Sequence, residues 1–297
     1  MKSINLLLFA AILVLLANSC RKEEALSPVI PGTNSASGAP ALTEASATRD
    51  DNMGLGNPSG AGSSDKNNYL VSRSQYVLSY NNGRGIANWV SWHLSSAWKG
   101  SAVRSNKFVS DASLPSGYFK ASTSDYTSTG FDRGHMCPSD DRDGSQADND
   151  ATFILTNIIP QAPKLNQQTW QHLEAYCQKL AANGNEMYII AGSYGKRGVG
   201  SVGSAETIAS GKMVVPSHCW KVILVLPNGS NDISRITSST RVIAVDMPNN
   251  QSVTDHDWGY YRTSVSEIEK ATGYSIFSAI PATVREKLKS KVDNTAI

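Results

Sequence analysis

Residues 130–142 read GFDRGHMCPSDDR. They gather one histidine, two arginines, a thiol and the carboxylates of Asp132, Asp140 and Asp141. The flanks are polar and Gly130 and Gly134 punctuate the stretch, so it reads as a loop held by a scaffold, where chemistry concentrates. His135 is the group there that can exchange a proton near neutral pH. Arg133 and Arg142 are suited to holding an anion.

A second anchor lies about 30 residues on, at residues 156–174, TNIIPQAPKLNQQTWQHLE. The run 152–159, TFILTNII, is apolar enough for a buried strand that Pro160 and Pro163 would end. Residues 166–180 place Trp170, Leu173, Tyr176, Cys177 and Leu180 at helical spacing, and Gly184 stands where a helix stops. Asp132-Arg133-Gly134-His135, Asn157-Ile158-Ile159-Pro160-Gln161, Leu165-Asn166-Gln167, Trp170, Leu173 and Glu174 together resemble the DNA/RNA non-specific endonucleases, the ββα-metal nucleases. The resemblance runs from about Asn67 to about Lys289.

That resemblance implies an α+β fold, a mainly antiparallel sheet flanked by helices with a ββα-metal motif. It implies a Mg²⁺-dependent endonuclease, with Mn²⁺ as a substitute, that cuts DNA and RNA through contacts to the phosphate backbone. His135 would be the general base activating water and Asn166 the metal ligand. Arg104 and Arg133 would touch the phosphate, and Asp132, Gly134 and Asn157 would support the site. Asn166 and Glu174 are eight residues apart, ~12 Å of helix rise and ~80° beyond two full turns. Glu174 is therefore expected to reach the metal through a water. Asn166 also stands where a helix N-cap would, and that reading is compatible with ligation. The family often carries an arginine four residues after the helix glutamate; Gln178 stands there instead.

The chain has 297 residues, 40% of them hydrophobic and 18% charged, with a net charge of +2. That supports a globular core, but not the strongly basic balance common in nucleic-acid binders. No CxxC pair, HExxH or P-loop is present, which argues against zinc-protease and nucleotide-hydrolysing classes.

Residues 1–20 have a charged start, an apolar run and Ala17-Asn18-Ser19-Cys20, the pattern of a lipoprotein signal peptide lipidated at Cys20. Export to the bacterial envelope or surface follows; the alternatives are an ordinary signal peptide, giving a secreted protein, or a membrane anchor. Residues 21–66 are rich in Ser, Gly, Ala and Pro and read as a flexible tether, which leaves 67–292 as the folded domain. Cys137, Cys177 and Cys219 then face an oxidising compartment. One bridge, between Cys137 and Cys177, is one outcome; three buried thiols is the other. Residues 75–80 and 88–94 read as a hairpin, with Trp89, Ser91 and His93 on one side and His93 at its surface. Residues 264–272 and 281–292 read as two helices.

The competing function on the same fold is a nucleic-acid-binding surface lipoprotein without catalysis, since fold alone does not fix function.

Overall fold

The computed structural model describes residues 46–297. The signal peptide, Cys20 and the first part of the expected tether lie outside the described residues. A seven-stranded sheet dominates. Its strands are β1 (Tyr69–Ser72), β2 (Val77–Asn81), β3 (Ile86–Leu94), β6 (Asn185–Tyr194), β7 (His218–Pro227), β8 (Arg241–Pro248) and β9 (Arg262–Thr263). They lie side by side in that order and every pair is antiparallel. β4 (Asp132–His135) and β5 (Ile158–Gln161) form a separate antiparallel pair beside the sheet. The helices are α1 (Gln146–Thr152), α2 (Trp170–Ala182), α3 (Val265–Thr272) and α4 (Ala282–Lys289).

Both faces of the sheet are covered, which explains why EMYIIAG and KVILVL are continuous apolar runs without clean alternation. On one face Trp92, Leu94, Ile189 and Ile223 pack under Trp170, Leu173 and Cys177 of α2. On the other, Trp89, Ile190, Trp220 and Val222 meet Val265, Ile268, Phe277 and Leu288. The expected sidedness of β3 holds: Trp89 belongs to one cluster, Val90, Trp92 and Leu94 to the other. Gly192 lies opposite both Trp89 and Trp220. A Cβ there would sit 2.6 Å from the Trp220 ring, so the glycine makes room for the indole.

Three readings of local structure are corrected. First, the Asp132–His135 stretch is a strand, not a loop. Second, TFILTNII is not one strand: it runs from the end of α1 through a 3₁₀ turn (Leu155–Asn157) into β5. A continuous apolar run reports burial rather than strand geometry, and Phe153, Ile158 and Ile159 are indeed buried. Pro160 sits inside β5 opposite Arg133, because a two-stranded ladder leaves an edge that needs no proline N–H.

Third, the tether does not extend to Lys66. Asn52 is built into the sheet: its Nδ2 donates to Ser74 O at 2.8 Å, its Oδ1 accepts from His93 N at 3.0 Å, and its carbonyl accepts from Ser91 Oγ. Leu55 is buried in the core of the rear face. Two well-placed anchors order a segment whose composition alone looks unable to fold.

Candidate active site

β4 and β5 pair so that Gly134 faces Ile159 and His135 faces Ile158. The chain then enters a π-helical turn, Leu165–Thr169, before α2. Single wide turns of this kind frequently mark functional sites. The extra residue also changes the helical phase: absorbing one residue turns the ~80° offset between Asn166 and Glu174 into ~20°. Both side chains therefore line one pocket with Arg104, His135, Ser139 and Asp140.

His135 is buried between Phe108 and Phe153, at ring-centroid distances of 5.5 and 4.8 Å. Its Nε2 is buried without a hydrogen-bond partner. Desolvation, then the nearby Arg104 guanidinium, push the imidazole down to about 3. His135 is thus neutral across the ordinary pH range. The chain just beyond it is pinned by Asn157, whose Oδ1 accepts from Cys137 N at 3.0 Å. Its Nδ2 donates to Cys137 O at 2.8 Å and Thr152 O at 2.9 Å. Asn157 is fully buried and its contacts are to the backbone that carries the histidine.

Asn166 does not cap the helix with its side chain. Its Nδ2 donates to Asp132 Oδ2 at 2.8 Å, and Gln167 Nε2 donates to the same oxygen. A carboxylate only accepts, so Asp132 fixes which end of the amide faces it and leaves Asn166 Oδ1 uncommitted. Asp132 thus holds the amides of Asn166 and Gln167. Gly134 has a packing reason: a Cβ would collide with the Gln161 side chain at 1.8 Å.

Arg104 is exposed at the pocket rim, over the Phe153 ring at 5.1 Å, with Nε donating to Asn106 Oδ1 and Nη1 to Ser139 Oγ. Arg133 is not brought into this pocket. It stacks over Phe108 at 4.5 Å and opens onto a neighbouring hollow with Tyr126 and Phe131. Arg142 holds no anion either: it is fully buried, donating to the carbonyls of Gln75, Asp141 and His93.

Glu174 is pushed up to about 7 by burial, an effect that Lys221 opposes and Asp141 reinforces. Lys221 of β7 is the residue the sequence reading missed. Its ammonium is 1% exposed, 3.3 Å from Glu174 Oε1 and 4.2 Å from the Trp170 ring centre. Asp141 lies beneath, accepting from Trp92 Nε1 at 2.9 Å and Gln178 Nε2 at 3.3 Å. Gln178 thus faces a buried carboxylate. A lone lysine in the strand WKVILVL was the available signal, since a charge inside an apolar run needs a partner. Cys137, Cys177 and Cys219 are buried free thiols. The Cys137–Cys177 bridge is not formed, and both sulfurs pack as small apolar groups in the core under α2.

The donor set suits a hard divalent ion: an oriented amide oxygen and a carboxylate in a polar pocket, with room for waters. Among the described residues, His, Cys, Asp and Glu ligand atoms converge elsewhere, at Asp50, His93, Glu186 and Asp232.

Comparison with known proteins agrees with this geometry. The family profile described as DNA/RNA non-specific endonuclease matches residues 58–283. A nuclease of Nostoc sp. is 43% identical over 257 residues, 86% of this chain and 90% of that protein. Nuclease C1 of Cunninghamella echinulata is 32% identical over 219 residues, 71% of this chain and 83% of that protein. The fold is shared with the crystal structure of an EndoG/EndoGI complex, at TM-score 0.65 and 27% identity, covering 80% of this chain and 94% of that one. The chain belongs to the DNA/RNA non-specific endonucleases and is a metal-dependent endonuclease.

Proposed function

We propose that this nuclease hydrolyses phosphodiester bonds in both DNA and RNA with little sequence preference, using Mg²⁺, with His135 as general base and Asn166 as the metal ligand. The observation that carries the reading is the convergence of Arg104, His135, Asn166 and Glu174, from three separate stretches of chain, on one pocket.

Each side chain has a task its surroundings suit. His135 Nε2 is buried without a hydrogen-bond partner, which leaves Nδ1 as the nitrogen to take the proton of an attacking water. General-base help of this kind is worth ~10²–10⁴ in rate. The same Arg104 charge that depresses the imidazole would be cancelled by a bound phosphate, so substrate itself raises the basicity of His135. Arg104 donates to the phosphoryl oxygens. Asp132 keeps the Asn166 amide turned, and Asn157 keeps the His135 backbone in register. Mg²⁺ would be held by Asn166 Oδ1 and by a water on Glu174, and it would supply Lewis-acid stabilisation of the leaving 3′ oxygen. Contacts confined to the backbone carry no base information, which favours indifference to sequence.

Export and lipid attachment at Cys20 remain part of the proposal, on the strength of the amino-terminal pattern. Labelled fatty acid should enter the wild-type chain and not Cys20→Ser.

The deciding experiment incubates plasmid DNA and single-stranded RNA with the full chain, with Mg²⁺ or EDTA, beside His135→Ala. Metal-dependent cutting of both, lost in the variant, is expected. Cutting that survives in His135→Ala overturns the base assignment. Retarded DNA with no cutting by the wild type would establish the binding protein instead.

A further inference from the structure

On the sheet face away from α2, a second cluster of ionisable groups is buried. His93 of β3 stands opposite Tyr188 of β6, and Glu186 lies two residues along the same strand. His93 and Glu186 are fully buried. Asp232, at the head of a short turn after β7, and Asp50, from the segment ahead of the sheet, complete the group. Their ligand atoms all lie within 4.8 Å of one another.

Two of these atoms have no partner: His93 Nε2 and Glu186 Oε2 are buried without a hydrogen bond. Nε2 is 3.5 Å from Glu186 Oε2 and 3.7 Å from Asp50 Oδ2. Both are too long for good hydrogen bonds. They match two ligands of one ion, because atoms ~2.1 Å from a shared centre at a near-tetrahedral angle stand ~3.4 Å apart. The neighbouring oxygens are engaged in part: Thr48 Oγ1 donates to Asp50 Oδ2. Arg235 binds Glu186 Oε1 and Asp232 Oδ1, and Tyr188 Oη donates to Asp232 Oδ2 at 2.7 Å. Three carboxylates against one guanidinium leave two negative charges, which a divalent ion neutralises.

We propose that His93 Nε2, Glu186 Oε2 and Asp50 Oδ2 form a second, structural divalent-cation site, separate from the catalytic pocket. One imidazole with carboxylates at this spacing suits a borderline ion such as Zn²⁺ better than Mg²⁺. The fourth position opens to solvent beside Asp50, whose side chain is 32% exposed. Nδ1 now accepts from Asp50 N at 3.4 Å, so loading, which requires the imidazole hydrogen to sit on Nδ1, breaks that long contact. The ion would fasten the leading segment to β3 and β6. That segment is otherwise held by Asn52, by Arg49 over Trp98 and by the Arg49–Ala97 bond. Asp232, Arg235 and Tyr188 are positioning residues.

The test uses the full chain stripped with EDTA, with Asn166→Ala introduced to silence the catalytic pocket. Zinc binding is read by calorimetry and metal analysis, and thermal unfolding with and without Zn²⁺. The proposal expects one zinc per chain and a raised melting temperature in Asn166→Ala. Both effects should vanish when Asp50→Ala or Glu186→Gln is added. Asp50→Ala, at a partly exposed position, keeps the test open if the buried variant fails to fold. The proposal is overturned if Asn166→Ala holds no zinc, or if zinc is held undiminished with Asp50→Ala in place.

Discussion

The two faces of the central sheet each bury a histidine whose Nε2 has no partner, yet they surround it with opposite charge. His135 faces two phenylalanine rings and an arginine. His93 faces Glu186, Asp50 and the Tyr188 ring. A cationic, apolar surround strips the first imidazole of its proton and leaves it ready to accept one. An anionic surround gives the second a place for a cation. On the proposed readings, identical side chains on one scaffold would serve chemistry or structure according to the groups that surround them.

The strongest way to break this contrast is His135→Ala. Cutting of DNA should fall by ~10²–10⁴, with only a modest loss of melting temperature, since the ring packing on Phe108 and Phe153 that is lost is offset in part by removal of an orphan buried nitrogen. A large loss of melting temperature instead would make His135 structural and erase the difference between the faces.

Next comes Lys221→Met. Removing one partner of a buried ion pair leaves Glu174 and Asp141 uncompensated, at a cost of ~3–5 kcal/mol. Denaturant unfolding should report that loss, and Lys221→Arg should recover part of it. A variant as stable as wild type would show that Trp170 and Trp92, not the charge, hold this corner.

Much of the pocket face was legible in the sequence because its residues come in compact runs. DRGH lies within β4 and the residues from Asn157 to Glu174 follow one another in a single unbroken stretch, and resemblance reads such runs directly. What escaped depended on tertiary pairing. The helical phase of Asn166 and Glu174 was computed for a regular helix, and the π-turn that aligns them leaves no trace in apolar spacing. Arg133 and Arg142 look alike in the sequence; strand direction sends one to a side hollow, and burial commits the other to carbonyls. The rear face was less legible still. His93, Glu186, Asp232 and Asp50 come from four distant stretches with no motif between them, and His93, read as a surface residue, is fully buried. The order of residues 48–66 was hidden for the same reason, since Asn52 and Leu55 matter only once β3 is in place.

Proton linkage sharpens the comparison by a smaller amount. Glu174 is raised from 4.5 to about 7, so the folded chain keeps a proton that the unfolded chain has released. Its contribution to stability is therefore lost as pH rises through that window. His135 is lowered from 6.5 to about 3, so the unfolded chain takes up a proton first and stability is lost as pH falls. The two oppose one another between 4.5 and 6.5, and the wild-type melting temperature should change little there. In Glu174→Gln the histidine acts alone, and stability should fall on acidification. Metal binding must also expel the Glu174 proton. Calorimetric Mg²⁺ affinity should weaken by up to about tenfold per pH unit below 7, and a flat affinity would remove Glu174 from the metal's surroundings.

The smallest effect should come from Asp50→Ala in EDTA. Asp50 is partly exposed and its 3.7 Å approach to His93 is worth little without an ion, as exposed pairs contribute ~0.2–1 kcal/mol. DNA cutting with Mg²⁺ should be unchanged, since Asp50 lies on the face away from the pocket. The size of this effect therefore depends on what fills the rear cluster. A penalty that is small in EDTA and grows when Zn²⁺ is supplied means the carboxylate serves an ion. A penalty of several kcal/mol in EDTA would mean that Asp50 already carries its full load as a partner of His93, and the rear cluster would then be complete without an ion.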